Sequence, residues 1–148
     1  MDETTQSEIE KIFRGYENKI KERTRDYEER RQELERFQEE YDRVKSDVIK
    51  PKMEEFGSHI KKLGHDYRIT ESEGEITMVV IPKMITNRIS LDQPSITFQR
   101  WNTEIHISKR PLFSSGRSSQ KANIEVITKS YVERSILDVM KDWERNAT

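Results

Sequence analysis

Residues 9–48 read IEKIFRGYENKIKERTRDYEERRQELERFQEEYDRVKSDV. With Phe13 at position a of a heptad, Phe13, Ile20, Tyr27, Leu34, Tyr41 and Val48 fall at a, and Ile9, Tyr16, Arg23, Arg30, Phe37 and Val44 fall at d. Ten of these twelve positions are apolar, while the b, c and f positions are almost all polar or charged. A 3.5-residue repeat of this length predicts a coiled-coil seam, because that period keeps one narrow stripe against a partner helix. At 1.5 Å per residue the helix spans about 60 Å.

A partner for the seam is not found elsewhere in the chain. The capping-box spacing Ser130-x-x-Glu133 predicts a C-terminal helix over 130–145, with Val132, Ile136, Val139, Met140 and Trp143 on one face. That helix measures only about 24 Å and is too short to return along the seam. The expected partner is a second copy, giving a homodimer or a higher homo-oligomer. A parallel pairing sets Arg23 on Arg23 and Arg30 on Arg30, although its rim pairs Asp26–Arg31 and Glu40–Lys45 attract. An antiparallel pairing about the midpoint of 9–48 sets Arg23 against Leu34, and Arg30 against Tyr27 with a cation–π contact. It opposes Asp26 to Glu33 at the rim. Like charges within a seam outweigh rim pairs, so the antiparallel arrangement is expected.

The remainder of the chain has another composition. Residues 1–50 carry a net charge of -3 and residues 51–148 one of +2, and all four prolines lie in the second part. Pro51 disfavours helix at Lys50, which predicts a break or kink between a coiled-coil helix (1–50) and an α+β domain (51–148). Met53, Phe56, Ile60 and Leu63 predict a helix over 51–64, closed by Gly64. Strands are expected at Tyr67–Glu71, Glu75–Ile81, Ser95–Trp101, Glu104–Ser108 and Ala122–Thr128, with hairpin turns at Ser72-Glu73-Gly74 and Asn102-Thr103. Ile85, Ile89 and Leu91 suggest one more short strand. The fold class is α+β: an antiparallel sheet across about 67–128, one face wet and the other covered by helices.

Several chemistries are poorly supplied. The chain has 148 residues, no Cys and three histidines, so thiolate zinc sites and cysteine nucleophiles are excluded. His59, His65 and His106 have no metal-ligand spacing, and Ser114-Ser115-Gly116 is neither a nucleophile elbow nor a phosphate loop. No catalytic residue, metal or cofactor is expected, and the chain does not read as an enzyme. Met78–Ile81, the longest apolar run, is far too short to cross a membrane. The polar N-terminus is unlike a signal peptide, and the absence of Cys fits a reducing cytoplasm.

One charge asymmetry remains. Residues 76–129 carry a net +5, with Arg100, Lys109, Arg110, Arg117 and Lys121 among the cations and Trp101 beside them. Cations interleaved with aromatics suit a nucleic-acid backbone with stacked bases, whereas Lys and Arg on strand edges also serve against aggregation. The expectation is therefore a non-enzymatic interaction module: an adaptor, assembly or regulatory dimer with an unidentified protein partner. The alternative is a nucleic-acid-binding dimer that uses these six residues.

Overall fold

A computed structural model describes residues 1–83, 93–112 and 118–146. Helix α1 runs over Glu3–Val44. Asp2 caps it: its carboxylate accepts the Thr5 N–H at 2.7 Å, and that bond holds the Asp2 carboxyl below its ordinary range. A π-helical turn, Lys45–Ile49, joins α1 to α2, Lys50–Lys62. The backbone does not break at Pro51. Ile49 and Lys50 keep helical angles, and the Lys50 N–H bonds the Lys45 carbonyl five residues back. A proline ring clashes with the carbonyl four residues before it, and the wider π turn just ahead of Pro51 makes room for it. Gly64, at φ +92°, then ends α2 in the conformation that glycine adopts most readily.

Among the described residues five strands follow as an antiparallel meander: β1 Asp66–Ser72, β2 Glu75–Ile81, β3 Ser95–Trp101, β4 Glu104–Arg110 and β5 Ser118–Ala122, in the order β1-β2-β3-β4-β5. Ser72 pairs with Glu75 across a two-residue turn. Trp101 pairs with Glu104 across another, where Asn102 takes φ 55°. The fifth strand differs from expectation. Ser118–Ala122 forms it, whereas Ile124–Val126 is a 3₁₀ turn that buries Ile124 and Ile127 and leaves Val126 exposed. Burial three residues apart is the period of a turn, not of a strand. The suggested strand at Ile85, Ile89 and Leu91 lies outside the described residues.

Helix α3, Lys129–Asn146, is capped by Thr128 rather than Ser130: the Tyr131 N–H donates to Thr128 Oγ1 at 3.2 Å. Glu133, the other half of the expected capping box, faces Lys52 of α2 at 3.7 Å. Ile76, Met78, Val80, Ile96, Phe98, Ile105 and Ile107 supply the inner sheet face. Val132, Ile136 and Val139 of α3 and Ile49, Met53 and Ile60 complete the core. Phe37 and Tyr41 belong to the same core. The compact units accordingly divide as Met1–Arg36 and Phe37–Thr148, ahead of the composition change at Pro51. Phe37 and Tyr41 stand four apart, a spacing that serves a coiled-coil seam and a helix laid on a sheet equally well. No described helix is long and apolar enough to cross a membrane.

Candidate functional site

The twelve expected seam residues meet two fates. Phe37 and Tyr41 are buried, at 6% and 0% exposure, and Val44 and Val48 pack against the same core. Six of the eight that precede them are large apolar or aromatic side chains left in the open: Ile9 (38%), Phe13 (62%), Tyr16 (61%), Ile20 (41%), Tyr27 (67%) and Leu34 (38%). Arg23 and Arg30, also exposed, interrupt that stripe. Steps of three and four residues along a helix place all eight on one side. Ile12, 69% exposed, widens the stripe at a g position. The helix is held locally by Arg31, which meets Glu28 at 3.0 Å and Glu35 at 4.0 Å. Such exposed pairs contribute only tenths of a kcal/mol each. The stripe thus leaves seven large apolar or aromatic side chains exposed on a highly charged helix, broken at Arg23 and Arg30.

The expected cationic cluster is divided by the sheet. Successive residues of a strand point to opposite faces, so Arg100 parts from Trp101, and Lys109 from Arg110. Arg100 follows Ile96 and Phe98 on the helix-covered face, where its stem lies over Gly74 and its guanidinium meets Glu73 at 3.7 Å. Lys109 follows Ile105 and Ile107 on that face, and Asp138 of α3 balances it at 3.6 Å. Trp101, Arg110 and Lys121 lie on the open face. Arg117 lies outside the described residues. The five described residues do not share one face of the sheet.

What the open face does assemble is smaller. The Trp101 and His106 rings stand 5.9 Å apart at a 36° tilt, and Lys121 pairs with His106 across β4 and β5. His106 lies between the inward Ile105 and Ile107, so strand alternation puts it on the outward face with Trp101. Thr77 and Thr97 bond through their hydroxyls at 2.8 Å farther along the same face.

The other histidines are tied to structure or to solvent. His65 Nδ1 accepts the Lys83 N–H at 2.8 Å, and His59 is exposed on α2. Among the described residues no three His, Asp or Glu side chains are placed to hold a metal ion. Beside the sheet, Lys50 bonds Glu71 at 2.8 Å, a contact that holds its amine above the ordinary lysine value. Lys52 is raised in the same sense, chiefly by Glu55. The Lys50–Glu71 pair joins α2 to β1, whereas Lys52–Glu55 lies within α2. Comparison of the chain with protein-family models, with curated proteins and with solved structures gave no match.

Proposed function

We propose that the protein is a non-enzymatic interaction module: a homodimer joined through residues 9–34 of α1, each copy displaying the sheet domain to a protein partner, as an adaptor, assembly factor or regulatory subunit does. One observation carries this reading. Six large apolar side chains, Ile9 to Leu34, stand exposed at a and d positions of a helix whose remaining surface is mostly polar or charged. The apolar face of α3 is already buried in the sheet domain. A second copy carries the same stripe at the same spacing. Light scattering on wild type and on Leu34→Lys tests the reading. The wild type is expected at twice the chain mass and the variant at one chain mass, with unchanged β-sheet circular dichroism. A monomeric wild type contradicts it.

A second reading rests on Trp101, His106 and Lys121, which put a stacking surface and a cation on the open face. It expects binding to single-stranded nucleic acid that falls steeply between about 50 and 200 mM salt. Trp101→Ala with Lys121→Glu then abolishes that binding. Binding that these changes leave untouched removes the open face from consideration.

A further inference from the structure

Burial of Phe37 and Tyr41 within their own chain leaves a seam of eight positions, Ile9 to Leu34, with its midpoint between Lys21 and Glu22. We infer that two copies pair antiparallel about that midpoint, an arrangement that rests on the self-association proposed above. In an antiparallel coil a positions pack against d, while g faces g and e faces e. The layers are then Ile9 against Leu34, Phe13 against Arg30, Tyr16 against Tyr27 and Ile20 against Arg23, each occurring twice. Every one of the eight side chains has an opposite number. Each arginine lays its stem on an apolar residue, and Arg30 sets its guanidinium against the Phe13 ring.

The rims agree with this register. At g, Lys19 faces Asp26 of the second copy; at e, Glu10 faces Arg31; each pair occurs twice. The remaining rim pairs, Ile12 with Glu33 and Glu17 with Thr24, oppose no like charges. The alternatives lose on both counts. A parallel coil stacks Arg23 on Arg23 and Arg30 on Arg30 and keeps only Asp26–Arg31 as an attractive rim pair. The antiparallel register centred on 9–48 opposes Asp26 to Glu33 and needs the Phe37 and Tyr41 side chains that the core holds. A shift of one heptad either way leaves Ile9 and Phe13, or Arg30 and Leu34, without a facing layer. Charge complementarity therefore selects one partner, a reversed second copy, and one register.

At 1.5 Å per residue the two Arg36 positions stand about 44 Å apart along the coil axis.

Spin labels measure this directly, and the chain has no native cysteine to interfere. Labels on Ser7→Cys are expected about 45 Å apart, and labels on Lys21→Cys about 20 Å apart, from the helix rise and a helix spacing near 10 Å. Distances of about 20 Å at both sites indicate a parallel coil and overturn the inference. About 30 Å at Lys21→Cys, with more than 60 Å at Ser7→Cys, indicates the longer-seam register and also overturns it. No dipolar coupling together with a single-chain mass refutes self-association itself, which separates that failure from a failure of orientation. Charge reversal provides a second arm. Lys19→Glu should weaken the dimer roughly tenfold at low salt, and Lys19→Glu with Asp26→Lys should restore it. In a parallel coil the reversal at Asp26 opposes like charge to Arg31, so the double variant would be weaker still.

Discussion

The Tyr41 hydroxyl donates a buried hydrogen bond of 2.9 Å to the carbonyl of Phe98, fixing the last turn of α1 to the centre of β3. Tyr41 has no exposed surface, and its hydroxyl is pushed well above the ordinary tyrosine value, first by burial, with Arg100 opposing the shift. Sequence position alone makes Tyr41 one more a residue of the coil; this bond makes it part of the sheet domain.

Two outcomes follow at Tyr41. Tyr41→Phe should lower stability to urea by about 1–2 kcal/mol, because it removes a buried hydroxyl and leaves its acceptor short of a donor. The wild type should also lose stability as pH rises past about 10, where the unfolded chain releases the phenolic proton and the folded chain keeps it. Below that pH the contribution is fully present. Urea titrations of the two proteins from pH 8 to 11 check the sign: the gap between them should narrow only above about pH 10.

Gly57 lies in the middle of α2 with the Tyr67 ring packed directly on its backbone, so that an added Cβ collides with the ring. An exposed helical glycine changed to alanine usually gains about 1 kcal/mol. Gly57→Ala should instead cost about 1–3 kcal/mol, the range for overpacking. In a Tyr67→Ala background the same change should become stabilising, which a double-mutant cycle by thermal denaturation reads out.

The cap of α3 separates two neighbouring hydroxyls. Thr128→Ala should cost about 1 kcal/mol, whereas Ser130→Ala, whose hydroxyl is not the capping acceptor, should fall within about 0.5 kcal/mol of wild type. Equal losses at the two sites would contradict the placement of the cap.

Much of the sheet was legible because its signals are local. Glu75–Ile81 and Ser95–Trp101 carry alternating apolar residues, and the turns beside them carry Gly74 and Asn102, so these two strands match expectation at both ends. Strand β5 was not legible. Ser118–Ala122 is a polar edge strand with four of its five residues exposed, and it offers no apolar alternation to read. The strongest pattern nearby, Ile124 with Val126, marked a turn instead. The apolar repeat of α1 was legible, but the burial of Phe37 and Tyr41 in the sheet domain was not, since a heptad cannot tell a second chain from a sheet folded back on the same helix. The division of Arg100 from Trp101, and of Lys109 from Arg110, was already contained in strand alternation. Grouping cations by closeness in sequence overlooked it.

Sedimentation equilibrium of the wild-type chain across micromolar concentrations tests self-association through α1 most directly. The expected result is a monomer–dimer equilibrium converging on twice 17.7 kDa, and loss of the dimer in Ile20→Lys. A single species at 17.7 kDa throughout would contradict it.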